Sequence, residues 1–303
     1  MLPPSGEQIA LNRGEWSAVV TEVGATLRSL SFRAQPVLWE FPRDEIDSGA
    51  RGQVLAPWPN RLEDGTYHFG GKFGHAPIDE PEHNNAIHGL VRWLAWKLEE
   101  RTSGRASLSC VIHPQPAYPF RVRVELDYEL GESGLEVTCR ATNTGRDTAP
   151  FGLGFHPYFL GTAGGVDEAG LLLEARRRLV LDGRSLPVGD EPVAGTVFVL
   201  DGRPIGRRVL DECYAEPALA PDGRWHACVE LPGRRAEIWA DAAFGYVMCY
   251  TGDAFDDPAC RRRAVAIEPM TCPPNALRTG TGVIALRPGE QFQASWGIAA
   301  FFS

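Results

Sequence analysis

The sequence lacks any long basic run, and its formal net charge is −9. That balance argues against nucleic acid as a partner. No apolar stretch is long enough to span a membrane as a helix. The opening residues, Met1-Leu-Pro-Pro-Ser-Gly-Glu7, have neither the basic start nor the apolar segment of a secretory leader. The seven cysteines are scattered singly, with no Cys-x-x-Cys pair. That pattern speaks for reduced thiols in a cytoplasmic protein over a disulfide framework or a zinc site. Arg261-Arg-Arg263 is a short basic cluster of the kind found in solvated loops. There is also no sustained 3.6-residue period, internal repeat, low-complexity segment or compositional shift. Residues 1–303 therefore read as one domain.

What is present is a period of two. Val122, Val124, Leu126, Tyr128 and Leu130 alternate with Arg121, Arg123, Glu125, Asp127 and Glu129. After Gly131-Glu-Ser-Gly134, Leu135, Val137, Cys139 and Ala141 alternate with Glu136, Thr138, Arg140 and Thr142. This predicts a hairpin with one buried face and one wet face. Comparable runs predict strands at Trp16–Val23, Thr26–Phe32, Ala106–Ile112, Gly170–Leu173, Leu179–Leu181, Thr196–Leu200, Trp225–Leu231, Ala236–Ala240, Tyr246–Thr251, Ala264–Glu268, Val283–Leu286 and Gln291–Ala299. The 33 glycines and 24 prolines punctuate them. The expectation is an all-β chain, a large antiparallel β-sandwich of two sheets packed face to face.

Within that frame four stretches carry ionisable residues in apolar or proline-rich settings. Ala264-Val-Ala-Ile leads to Glu268, and Pro269 is expected to end the strand there because it has no N–H for a ladder. Phe151-Gly-Leu-Gly-Phe leads in the same way to His156-Pro157. Ala56-Pro-Trp-Pro-Asn carries Arg61, and Glu82-His-Asn-Asn-Ala-Ile ends on His88-Gly89. Taken singly, His156 fits a core histidine, His88 a turn residue, Arg61 a surface ion-pair partner and Asp211 a turn or cap. His83 and His88 are a weak metal pair, five residues apart in a loop without a carboxylate pattern.

In combination the pieces resemble the aldose 1-epimerase (galactose mutarotase) family. The matching segments are Pro59-Asn-Arg61, Gly65-Thr-Tyr67 with Gly70-Gly71, Ile87-His-Gly89, Gly154-Phe-His-Pro-Tyr-Phe159, Leu210-Asp-Glu-Cys-Tyr214, Tyr250-Thr-Gly252 and Ile267-Glu-Pro-Met-Thr-Cys-Pro-Pro-Asn275. They occur in the family's order across most of the chain. The resemblance implies the galactose mutarotase-like supersandwich, with a sugar held on an open sheet face. It implies Glu268 as base, His156 as acid, and Arg61, His88 and Asp211 as residues that hold the sugar. It implies neither metal nor organic cofactor. The partner would be a small-molecule aldohexose, the protein a monomer or homodimer.

Those residue types suit anomer exchange. A base takes the proton from the C1 hydroxyl and an acid protonates the ring oxygen; the open aldehyde turns and closes on its other face. Two alternatives share the fold: a hexose-6-phosphate 1-epimerase, with Arg61, Arg92 or Arg261–Arg263 as phosphate ligands, and a sugar-binding domain without catalysis. One departure stands out. Many family members carry Gln where this chain has Met248, and a thioether cannot replace an amide's donors.

Overall fold

In the computed structural model, which describes residues 2–47 and 49–302, almost every element is a β-strand. Met1, where the N-terminal stretch read for a leader begins, lies outside the described residues, as do Ser48 and Ser303. The 121–142 alternation becomes the hairpin Val122–Leu130 and Leu135–Asn143, paired in register from Val122↔Asn143 to Leu130↔Leu135. Val122, Val124, Leu126, Leu135, Val137 and Cys139 point into the core, fully or almost fully buried. The opposite face carries ion pairs such as Arg105–Asp127 and Arg123–Glu125. Each such aliphatic side chain taken from water contributes roughly 1.5–3 kcal/mol, which pins the register, since a one-residue slip would exchange the two faces.

This hairpin belongs to a nine-stranded antiparallel sheet running in space from Lys97–Arg101 through Gln291–Phe302 to Leu200–Pro204. Facing it is an eight-stranded sheet. Its main path runs Pro187–Pro192, Ala175–Leu181, Asp211–Pro217, Tyr246–Tyr250, Ala264–Met270, Gly154–Phe155 and Val54–Leu55. Tyr158–Leu160 also pairs with Ala264–Met270. Tyr214, Val247, Cys249, Val265 and Ile267 on the inner face of this second sheet join the same core cluster as Val124 and Val137. A four-stranded sheet, Gln8–Arg13 to Gln35–Pro36, adds Leu11, Val20 and Leu30 to that cluster. All seven cysteines are unpaired. No helix among the described residues is long and apolar enough to cross a membrane.

Three expectations need correction. The strand expected to stop at Glu268 continues to Met270, pairing Pro269 with Val247 and Met270 with Tyr246. The reason lies in its other neighbour. Ile267 N–H donates to Pro157 O and Thr271 N–H to Leu153 O, so the nitrogen of Pro269, midway between, faces that same side. There the adjacent chain breaks its ladder at His156-Pro157, between Gly154–Phe155 and Tyr158–Leu160, and no donor is required. Residues 196–199 are not a strand; the strand begins at Leu200 and runs to Pro204. Asp211, which by itself reads as a turn or cap, opens the strand Asp211–Pro217, whose hydrophobic pattern is interrupted because Glu212 pairs with Arg178.

Candidate active site

Glu268 sits mid-strand on the outer face of the eight-stranded sheet, 2% exposed. Its register neighbour is Met248, followed by Cys213 on the next strand. Asp211 lies on the same face, since Asp211 pairs with Tyr250 and Tyr250 with Ala266, each two residues from the Cys213–Met248–Glu268 row. On the other side of Glu268 the broken strand turns His156 inward. His156 Nε2 lies 3.3 Å from Glu268 Oε1. The ring stacks on Tyr158 at 4.8 Å with an interplanar angle of 14°. His88 meets it edge-on, ring centres 5.3 Å apart.

The loops that deliver the other residues are held by close packing. Gly52 N–H donates to His156 O at 2.8 Å and His156 N–H to Gln53 O at 3.1 Å, clamping the histidine's backbone on both sides. Gly89 has φ +72°, and a Cβ there would lie 2.2 Å from Ala56 O, so only glycine lets the segment after His88 cross the Pro57 loop. The Pro269–Asn275 segment works as a clip. Leu153 N–H donates to Thr271 Oγ1, Asn275 N–H donates to Arg61 O, and Asn275 Nδ2 donates to Glu63.

Arg61 is almost wholly engaged by one partner. Its Nε lies 3.0 and 2.9 Å from the Glu80 oxygens and its Nη2 2.9 Å from Oε1. Asn85 Nδ2 donates to Glu80 as well, and His83 Nδ1 lies 3.3 Å from it. Sequence reasoning missed Glu80, which sits in the undistinguished acidic run Asp79-Glu-Pro-Glu82; only the fold shows that this carboxylate goes inside with Arg61. The His83–His88 pairing is also resolved: His83 turns to Glu80, His88 to Asn60, and no cluster of metal-ligating side chains forms among the described residues.

Burial dominates the electrostatics. It raises the Glu268 carboxyl well above its ordinary range; the charge of Asp211 adds to the rise and Arg61 opposes it. Asp211 is raised by burial too, against the pull of Arg61. Burial lowers His156 to about 3, with its own backbone opposing the fall and the Arg92 charge adding to it. His88 is pushed well below its usual value by burial, then by His156 and the arginines. A neutral His88 accepts from Asn60 N–H at Nδ1 (3.3 Å), so its proton is on Nε2, and the ring is a donor of fixed orientation. Glu268 Oε2 and His156 Nδ1 are buried and have no hydrogen-bond partner among the described residues. The fold thus brings His88, His156 and Glu268 together, with Asp211 and Arg61 coupled to them by charge.

The aldose 1-epimerase family model matches residues 7–299. The chain belongs to the aldose 1-epimerase family. Membership makes it an epimerase-type isomerase, and the family's β-sandwich is the architecture described above. Among curated relatives, the uncharacterized protein YihR of Escherichia coli K12 is 28% identical over 97% of this chain and 93% of its own. Among solved structures, a GalM/aldose epimerase homologue from C. elegans superposes with a TM-score of 0.87 at 18% identity, over 98% of this chain and 99% of its own. A galactose 1-epimerase from Lactobacillus acidophilus gives 0.80 at 20% identity, over 96% and 93%. At such identities these two structures speak for the fold of this aldose epimerase, not for its sugar.

Proposed function

We propose that the protein interconverts the α and β anomers of a free, uncharged aldohexose, with Glu268 as base, His156 as acid, and no metal or organic cofactor. The observation that carries this is the 3.3 Å approach of His156 Nε2 to Glu268 Oε1 on one sheet face, from stretches far apart in the chain. Ring opening draws on the carboxylate–imidazolium form of the pair, reached when the Glu268 proton passes to His156 Nε2 across their 3.3 Å contact. Ring opening moves the O1 proton to Glu268 as His156 delivers its proton to O5. The C1–O5 bond breaks and C1=O1 forms. The open chain then faces a carboxylic acid and a neutral imidazole, the two forms that burial favours. Rotation about C1–C2 and the reverse transfers close the ring on its other face. Each group contributes roughly 10²–10⁴-fold. His88, donating from Nε2, stabilises charge as it develops on a sugar oxygen. Asp211 accepts from a hydroxyl, and Arg61, anchored by Glu80, offers its remaining edge. The reaction is close to thermoneutral and transfers only protons, so it needs no electron sink.

The arginines speak for an uncharged sugar over a hexose 6-phosphate. Arg61 is matched by Glu80, Arg92 by Asp79, Arg51 by Asp47, and Arg262 by Asp167 and Asp253. At any of these four a phosphate dianion would have to displace a carboxylate, and Arg261 is turned to the Phe255 carbonyl. NMR exchange between anomers, started from fresh α-glucose and α-galactose, tests the proposal. Acceleration by the wild-type protein that is lost in Glu268→Gln is expected. Sugar binding by calorimetry without any acceleration would leave a carbohydrate-binding domain instead.

A further inference from the structure

Two buried polar atoms next to each other in the fold lack hydrogen-bond partners among the described residues. One is His156 Nδ1; the other is Oε1 of Gln53, a side chain only 2% exposed. Val54 pairs with Phe155, and both join the core cluster. Gln53 and His156, the next residue on each strand, therefore point to the opposite, outer face, where Glu268 lies. There Gly52 and Gln53 together oppose His156: Gly52 N–H donates to His156 O, and His156 N–H donates to Gln53 O. With φ +70° at Gly52 this is a G1 bulge, a device that re-aims a side chain beside a site. A Cβ on Gly52 would lie 2.1 Å from Leu27 O, so the bulge is seated tightly on the four-stranded sheet. Side chains opposite one another on one face of a strand pair are within reach of each other. Gln53 also borders a cavity of ≈ 250 Å³, which leaves its amide room to turn toward the ring.

The chemistry decides which of the two atoms donates. Once His156 has given its Nε2 proton to O5, the neutral ring holds its remaining proton on Nδ1. The same tautomer is needed beforehand, when Nε2 faces Glu268 Oε1 at 3.3 Å and takes the carboxyl proton. Nδ1 is thus a donor through the whole cycle, and a buried donor without an acceptor is costly. Tyr158 lies against the face of the ring and His88 meets it edge-on, neither bonded to Nδ1. The Gln53 carbonyl is the acceptor that the fold sets opposite. We propose that Gln53 is the positioning residue of the acid: its Oε1 accepts from His156 Nδ1–H, fixes the tautomer and supports the imidazolium as it forms. A hydrogen bond from the charged ring is stronger than one from the neutral ring, so this contact favours the step in which Nε2 gains its proton. The proposal rests on the anomer-exchange reading given above.

Nitrogen-15 NMR of the histidine rings, with the His156 signals assigned by their loss in His156→Asn, reads the tautomer directly. The wild type at neutral pH should carry a proton on His156 Nδ1. Gln53→Met should lose that preference, and Gln53→Glu, which keeps an acceptor of the same reach, should retain it. In NMR anomer exchange with glucose and galactose, Gln53→Met should lower kcat about tenfold with KM nearly unchanged, because the bond strengthens only as the ring becomes charged. A bare Nδ1 in the wild type overturns the proposal without any variant. So does a Gln53→Met protein in which either the tautomer or kcat stays as in the wild type, since a loss confined to stability or KM is what a packing residue would give. Should the wild type exchange no sugar at all, the anomer-exchange reading fails separately, and the tautomer in the wild type and Gln53→Met still decides the role of Gln53.

Discussion

Two buried ionic contacts on this face are almost equally hidden from water and differ in everything else. Arg61–Glu80 is 11% and 11% exposed by side chain; His156–Glu268 is 6% and 2%. In the first, both Glu80 oxygens take bonds from Arg61, and Asn85 adds another. In the second, one contact spans the pair while Glu268 Oε2 and His156 Nδ1 stay unpartnered. The saturated pair fixes one loop to another. The unsaturated pair keeps proton-accepting capacity in a dry place, which costs stability and gives reactivity. Burial alone does not mark a candidate site; at this pair it coincides with unmet bonding capacity on two ionisable groups in contact.

The largest way to break this contrast is to remove the reactive groups. Glu268→Gln and His156→Asn should each slow anomer exchange by about 10²–10⁴-fold with the far-ultraviolet spectrum unchanged. Wild-type rates in either would end the assignment. Next comes the saturated pair. Arg61→Met strands a buried carboxylate and should cost about 3–5 kcal/mol in urea unfolding, with Arg61→Met/Glu80→Leu recovering much of it. A cost below about 1 kcal/mol would place the pair with surface ion pairs.

Stability against pH sharpens the comparison further. The folded pKa of Glu268 is raised, so its relative stabilisation is complete below the unfolded carboxylate value and fades as pH rises above it. His156 is depressed to about 3, so its contribution is complete above the ordinary histidine value near 6.5 and fades as pH falls toward 3. Thermal melts should show Glu268→Gln gaining on the wild type as pH rises above about 4.5, and His156→Asn gaining as pH falls below 6.5. Parallel curves would mean that neither group titrates differently in the folded state. The smallest effect is expected at Met248, opposite Glu268 and packed with Leu179, Cys213 and Met270. Met248→Gln should cost about 1–3 kcal/mol for burying an amide and alter KM more than kcat, measured by unfolding and by exchange kinetics.

Much of this was legible in the alternation and in the ordered motifs. The Val122–Asn143 hairpin follows from apolar residues at every second position, and the family's candidate acid and base follow from Gly154-Phe-His-Pro-Tyr-Phe159 and Ile267-Glu-Pro269. Other features had no local signature. Asp211–Pro217 reads as irregular because its alternation is broken by a paired Glu212. Pro269 looks like a strand terminator because a lone strand does not reveal that its neighbour bulges on that side. Asn275 appears only as a motif letter until its side chain is seen bonding Glu63.

The order of polar and apolar residues by itself determined that the chain would form antiparallel strands around a large core, since a period of two can bury only one face of a sheet. Tertiary structure decided which ionisable groups meet. His156 reaches Glu268 because a broken strand and an unbroken one lie side by side, and Arg61 is held by Glu80 because the strand Arg61–Glu63 pairs with Asn85–Ile87, and Asn85 also bridges to Glu80. Those encounters depend on through-space distance and on the exclusion of water, which come into being only once strands far apart in the chain are packed together.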